Sequence, residues 1–249
     1  MKVKKFKDFV NESVNSQQEI NIENFPNVMT DAMKKAFFDK GHKDGSESDD
    51  KVKTKLVSIK AKDLKPSQNA IYLGKALGMA IGGVSGGDLG AIISKDNYIL
   101  DGHHRWAATM FNNPDAMIKG HKADLNIGDL IPVLRALGDA LGNERRGEPK
   151  GGDVNIFEAS IKDALACVEK GSNMSKKFYN RDKSVEWLDK NGGEDSIQEA
   201  LAFIQSVAPP SDAPPRNMMP VIDADKGEEK KAAKSLNRGD LDVRTPYAG

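Results

Sequence analysis

Short apolar runs separated by glycine, proline and asparagine dominate the middle of the chain and predict a small mixed sheet with helices. The predicted strands cover residues 55–59, 91–94, 98–100 and 122–126. The predicted helices cover residues 71–81, 103–112 and about 129–141. The two central strands are joined by the short turn Lys95-Asp96-Asn97, as in a hairpin. The glycine-rich stretch 82–90 is either a lid over a ligand or a loose connection.

The pattern changes to a helical period after about residue 146. Apolar residues recur every three or four positions, and the predicted helices cover residues 157–170, 183–190 and 196–207. Ser196 and Glu199 have the spacing of a capping box at the start of the last helix. From residue 209 onward, proline, charged and small residues predict a largely extended, disordered tail.

The N-terminal residues have a different pattern. Val3, Phe6, Val10 and Val14 recur at helical spacing between lysines, which predicts a short amphipathic helix followed by a polar linker. We therefore predict an α+β fold in four parts. These are an N-terminal helix and flexible linker (1–50), a domain of mixed sheet and helices (51–145), a helical region (146–208) and a disordered tail (209–249).

Composition limits the function classes. Apolar residues make up 38% of the chain and charged residues 30%, which indicates one modest core and much solvated chain. Lys+Arg and Asp+Glu are balanced at 37 each, so no overall field attracts nucleic acid or anionic lipid. No run approaches the roughly 20 apolar residues that span a bilayer, so we expect no membrane partner.

The single cysteine, Cys167, excludes an internal disulfide and is typical of a reducing compartment. It lies in the apolar helical sequence Ala164–Val168. This context favours a structural thiol over a nucleophile.

The chemistry-bearing stretch is Asp101-Gly102-His103-His104-Arg105, where a predicted strand meets a predicted helix. Asp101 is placed as the N-cap. The first helical turn presents backbone N–H groups and positive partial charge, and Gly102 allows a ligand close to the backbone. Arg105 can fork onto a phosphate, and His103 and His104 can donate hydrogen bonds. The stretch therefore predicts a phosphate-binding site.

Two other interpretations of this stretch stay open. An Asp-Gly turn with histidines that bind backbone groups needs no function. A metal site is the other interpretation, but adjacent helical residues point about 100° apart, so His103 and His104 cannot easily chelate one ion. Asp101 alone can hold Mg²⁺ or accept a proton from a substrate hydroxyl.

The stretch Ile99–Ala108 resembles the signature of the ParB/sulfiredoxin superfamily, in which a strand ends in a Gly-x-x-Arg turn that opens a helix and holds nucleotide phosphates. The Asp-Gly-His-His-Arg form is most similar to the branch that includes free-serine kinases. The segment Lys55–Asn69 is similar to the opening strand and turn of ParB-like domains, and the likeness covers roughly residues 54–127. His103 stands where sulfiredoxins have their reactive cysteine, so sulfinic-acid reduction is not implied.

The resemblance implies a nucleotide-binding protein that uses ATP or another nucleoside triphosphate with Mg²⁺. Its chemistry would be phosphoryl transfer or hydrolysis, as in a kinase or a nucleotide or nucleic-acid phosphohydrolase. Gly102, His103, His104 and Arg105 would hold the phosphates. Asp101 and His103 would be catalytic, with Asp101 also the Mg²⁺ ligand. The chain departs from the family kinases, which use an upstream glutamate base, because it has no glutamate between Glu47 and Glu144.

An alternative within the same family is a ParB-like DNA-associated protein or nuclease. Its basic surface would come from Asn143–Arg146 and the N-terminal lysines. A third interpretation follows from Met1–Ser13, which resembles the leaders of internal head proteins of large tailed phages. It implies a phage-encoded, non-enzymatic virion protein in the host cytoplasm that contacts head or scaffold proteins and is packaged after cleavage near Glu12.

Overall fold

The computed structural model describes residues 54–128, 130, 131, 134, 153–172, 180–207, 209–211 and 213–220. Within them the fold is α+β, as predicted, with one mixed sheet and helices packed against it. The predictions for residues 1–50 lie outside the described residues. No helix in the described part of the chain has the length and apolarity needed to cross a membrane.

The sheet has five strands in the order β1-β5-β3-β4-β2. The strands are β1 (Thr54–Lys60), β2 (Lys65–Pro66), β3 (Gly87–Ile93), β4 (Tyr98–Asp101) and β5 (Met117–Ala123). β1 runs antiparallel to β5 and β3 antiparallel to β4, whereas β5 pairs parallel with β3 and β2 parallel with β4. The β3–β4 pair confirms the predicted hairpin, and Asn97 in its turn has φ 67°.

The helices of the described residues are α1 (Leu73–Ile81), α2 (His103–Asn112), α3 (Ile161–Lys170), α4 (Arg181–Lys190) and α5 (Gly193–Ser206). The bounds of α2 are those predicted. α3 begins later than residue 157, because Ser160 caps it and forms a capping box with Asp163. α5 begins before the predicted Ser196, because the left-handed backbone of Gly192 starts the helix there.

β5 lies earlier in the chain than the predicted strand at 122–126. A glycine in the middle of the true strand obscured the alternating pattern. Gly120 is required because a Cβ at this position would lie 2.6 Å from the carbonyl oxygen of Ala91 on β3. The helix predicted at about 129–141 lies mostly outside the described residues, although Leu130, Ile131 and Leu134 are buried.

One hydrophobic cluster joins the sheet to the C-terminal helices. Trp106 on α2, Trp187 on α4 and Leu201 on α5 all belong to it. This cluster of buried residues therefore spans the predicted boundary at residue 145. The reason is that α3 to α5 each have one apolar stripe, which needs another element to cover it. Trp106 is fully buried, and its Nε1 donates to the carbonyl oxygen of Ala61 at 2.9 Å.

Residues 213–220 follow the last helix and pack against the body of the fold. We call them the C-terminal strap. Asn69 N donates to the carbonyl oxygen of Pro214 at 3.2 Å, and a 3-10 turn covers Arg216–Met218. Met219 is buried. The strap thus packs against the fold, although it lies within the predicted disordered tail, because this apolar side chain gives the segment something to bury. Residues 221–249 lie outside the described residues.

Candidate functional site

A cleft of about 370 Å³ opens at the N-terminal end of α2. All five residues of the predicted phosphate site lie in its wall. The full lining comprises Gln68, Lys75, Met79, Leu100, Asp101, Gly102, His103, His104, Arg105, Arg216, Met219 and Pro220. The glycine-rich stretch 82–90 contributes none of these residues.

The backbone at the start of α2 turns at a single glycine. Gly102 has φ 95° and ψ 15°, a left-handed conformation that L side chains rarely adopt. Gly102, not Asp101, is the N-cap, which corrects the sequence prediction. The reason is that the Asp101 carboxylate accepts a hydrogen bond from Gly102 N at 2.8 Å. No side-chain oxygen therefore caps the first turn of the helix.

The ion pair between Asp101 and Arg105 is loose. Asp101 Oδ2 and Arg105 Nη2 are 3.6 Å apart, and the side chains of Asp101 and Arg105 are 50% and 37% exposed. An exposed pair at this distance contributes little to stability. Arg105 can therefore exchange this carboxylate for a ligand phosphate without a large loss.

The two histidines are buried, and both accept hydrogen bonds from the loop before α1. His103 Nε2 lies 3.2 Å from Ser67 N, and His104 Nε2 lies 3.2 Å from Tyr72 N. The Ser67 hydroxyl donates elsewhere, to the carbonyl oxygen of Ile99 at 2.8 Å. Each Nε2 is thus the acceptor of a backbone hydrogen bond, and that of His103 also lies 3.2 Å from the Ser67 hydroxyl oxygen.

These contacts give the histidines a positioning role, which is the structural interpretation that the sequence left open. They hold residues 67–72 against α2 and so shape one wall of the cleft. The predicted phosphate-binding and catalytic roles do not fit the Nε2 atoms of His103 and His104, because backbone amides already occupy them. Among the described residues, no group of three or more His, Cys, Asp or Glu side chains can hold a metal ion together.

Sequence reasoning missed two cations in the cleft wall, Lys75 and Arg216. Lys75 is on α1, and Arg216 is on the C-terminal strap, with its guanidinium carbon 5.1 Å from the ring centre of Tyr72. With Arg105, three cationic side chains of the described residues line the cleft, beside the carboxylate of Asp101. No local pattern marks either residue, since a single lysine on a helix and an arginine in a proline-rich segment are ordinary.

Cys167 lies outside the cleft and is half-buried. Burial, followed by the charges of Asp153 and Asp163, raises the pKa of its thiol to about 11. The group is therefore protonated at neutral pH, which supports the predicted structural thiol. Burial likewise raises the pKa of Asp153, although its Oδ1 accepts a hydrogen bond from Gly74 N at the start of α1.

Comparison with known proteins does not identify the chain. No family model matches it, and neither a curated protein nor a solved structure matches it. The ParB/sulfiredoxin resemblance therefore stays a prediction from the motif and its surroundings, and function is inferred from the cleft itself.

Proposed function

We propose that this chain binds the phosphate groups of ATP or another nucleoside triphosphate, with Mg²⁺, in the cleft at the start of α2. The observation that carries the proposal is the convergence of Lys75, Arg105 and Arg216 on a helix N-terminus that no side chain caps. Backbone N–H groups and the helix dipole favour an anion there, and the three cations add to that preference.

Each residue has a role that its position supports. Arg105 binds a phosphate through its planar guanidinium, which matches two phosphate oxygens at once. Gly102 leaves the backbone open, because a Cβ here would lie 3.6 Å from Arg105 Nη2 and narrow the approach. His103 and His104 position the wall and do not bind phosphate through Nε2. Met79, Leu100 and Met219 supply an apolar surface for the nucleoside.

Among the described residues, Asp101 is the one carboxylate that lines the cleft. Mg²⁺ bound to nucleotides commonly takes one or two carboxylates and completes its shell with water and phosphate oxygens, so a single aspartate suits it. The ion would reduce the negative charge on the phosphates. Asp101 Oδ2, whose ion pair with Arg105 is long, is the atom that would hold it.

Phosphoryl transfer or nucleotide hydrolysis is the reaction class we propose for this site. The step needs a group that accepts a proton from the attacking hydroxyl or water. Asp101 is our candidate for this task as an alternative to binding Mg²⁺, because its side chain is half exposed and lines the same cleft as Arg105. We do not assign the step to His103, since its Nε2 already accepts a backbone hydrogen bond.

Thermal unfolding with nucleotides tests the proposal. ATP, ADP, CTP, GTP and inorganic triphosphate, each with and without Mg²⁺, should be compared at millimolar concentration. We expect at least one of them to raise the Tm of the full chain, because a ligand that binds only the folded state stabilises it. Arg105→Ala should remove this increase, whereas the matched control Arg181→Ala, which alters an exposed arginine on α4, should keep it. The absence of any increase in the unaltered chain would overturn the proposal.

The other two functions stay predictions. A DNA-associated role depends on Asn143–Arg146 and the N-terminal lysines, which lie outside the described residues. Salt-dependent retention on DNA tests it. A virion role depends on the N-terminal leader, and a shortened N-terminus in purified virions tests that.

A further inference from the structure

We propose that Arg216 is a ligand-binding residue and that the C-terminal strap closes the phosphate site, so that strap and ligand strengthen each other's binding. This inference rests on the proposed function. It adds to the proposed site a segment far outside residues 54–127, the part of the chain that carries the family resemblance. It gives residues 213–220 a role in binding, where the sequence predicts a tail without structure.

The geometry of Arg216 supports a role toward an anion. Its guanidinium lies over the ring of Tyr72, 5.1 Å from the ring centre, and its side chain is half-buried. A guanidinium stacked on an aromatic ring keeps its N–H donors at the edge of its plane, where a phosphate binds. Among the described residues, no carboxylate forms an ion pair with Arg216. A cation in a cleft wall without a carboxylate partner favours an anionic ligand.

The position of Tyr72 connects Arg216 to the rest of the site. Tyr72 N donates to His104 Nε2, and the two rings lie 5.6 Å apart. His104 is in the first turn of α2, next to Arg105. The contacts of Arg216 with Tyr72 and of Tyr72 with His104 therefore join the strap to the helix end where we place the phosphates.

The strap is held to the body by contacts that a ligand can reinforce. Asn69 N donates to the carbonyl oxygen of Pro214, and Met219 is buried beside the cleft. Pro214, Pro215 and Pro220 restrict the unbound segment and so reduce the entropy lost when it docks. A phosphate that contacts both Arg105 and Arg216 adds a bridge between strap and helix. By linkage, the ligand must then favour the docked strap as much as the docked strap favours the ligand.

The first test is binding of Mg-ATP to the full chain by calorimetry. Arg216→Ala should weaken binding by about tenfold or more, as expected when a charged hydrogen bond to phosphate is lost. Arg216→Lys keeps the charge and should recover part of the affinity, and Arg181→Ala is the matched control that should bind as the unaltered chain does. If Arg216→Ala binds normally while Arg105→Ala does not, the inference is wrong and the proposed function stands. If the unaltered chain binds no nucleotide, both are wrong.

Hydrogen exchange of the strap provides a second measurement that does not depend on altering Arg216. Mg-ATP should slow amide exchange at Arg216–Met219 in the unaltered chain. It should have no such effect in Arg105→Ala, in which the phosphate is no longer held. Unchanged exchange in a chain that binds Mg-ATP would show that the strap does not close on the ligand and would overturn the inference.

Discussion

The two ends of α2 both carry polar side chains, but they differ in what those side chains contact. At the C-terminal end, Asn112 Nδ2 donates to the carbonyl oxygens of Ala80 and Val84 at 3.0 and 2.8 Å, and its Oδ1 accepts from Trp187 Nε1. Thr109 Oγ1 also accepts from Gly86 N at 3.0 Å. These protein groups close that end and fix the glycine-rich stretch 82–90, which is therefore not a loose connection.

At the N-terminal end, the polar groups surround an open cleft. The histidine Nε2 atoms bind backbone amides, but the cap is a glycine without a side chain, and the ion pair of Arg105 is long and half exposed. The difference shows that polar residues at a helix end do not by themselves indicate a binding site. What distinguishes the N-terminal end is an open volume whose described wall includes Lys75, Arg105 and Arg216.

The largest loss of stability is expected at the closed end. Asn112→Ala removes three hydrogen bonds, at about 1 kcal/mol each, so the free energy of unfolding should fall by about 3 kcal/mol. Urea unfolding measures this difference. Asn113→Ala is the control, because the neighbouring Asn113 is exposed and its side chain accepts one exposed bond, from Asp115 N. Equal losses in the two variants would contradict the closed-end description.

A smaller loss of stability is expected when either histidine that holds the cleft wall, His103 or His104, is replaced. His104→Ala leaves the amide of Tyr72 without its acceptor, and His103→Ala does the same to Ser67, at about 2 kcal/mol each. His121→Ala, which alters a half-buried histidine outside the cleft, should have a smaller effect. NMR of the imidazole nitrogens should also find Nε2 of His103 and His104 unprotonated at neutral pH. A proton on either Nε2 would rule out the positioning role for that residue.

Gly102→Ala should lower stability by about 1 to 2 kcal/mol, because the left-handed conformation is unfavourable for any residue with a Cβ. The new methyl group meets nothing closer than 3.6 Å, so strain in the backbone is the main cause. Gly83→Ala is a control with a similar φ of 89° and open space around it. Gly83→Ala should lower stability by a similar amount but leave nucleotide binding unchanged. Gly102→Ala should also weaken nucleotide binding.

The smallest effect concerns an exposed carboxylate just beyond the closed end. Hydrogen bonds from Lys60 and Lys62 lower the pKa of Asp115 from 3.8 to about 2. A lowered pKa in the folded state means that the contribution is complete above pH 4 and is lost as the pH falls toward 2. Asp115→Asn should therefore be slightly less stable than the unaltered chain at pH 5, with the difference shrinking in acid and in high salt. A difference that grows in acid would have the wrong sign.

Local signals in the sequence predict much of this site. The bounds of α2 and the preceding hairpin both follow from neighbouring residues. The cap was predicted wrongly, because an aspartate before a helix is usually the cap and nothing in the sequence shows that its carboxylate binds Gly102 N.

Contacts between distant residues could not be predicted. Arg216 follows Arg105 by more than 100 residues. The Asn69–Pro214 hydrogen bond, the Arg216–Tyr72 contact and the buried Met219 bring the strap to the cleft. The sequence does not predict that Thr109 and Asn112 close the C-terminal end of α2. Their hydrogen-bond partners are backbone groups of residues 80–86 and a distant tryptophan, Trp187.

The comparison of the two ends is tested most directly by Tm measurements with and without Mg-ATP on the unaltered chain, Arg105→Ala and Asn112→Ala. We predict that Asn112→Ala unfolds at a lower temperature but keeps the increase produced by Mg-ATP. Arg105→Ala should unfold near the temperature of the unaltered chain and lose that increase. If Arg105→Ala retains the full increase, the N-terminal end of α2 is not the phosphate site.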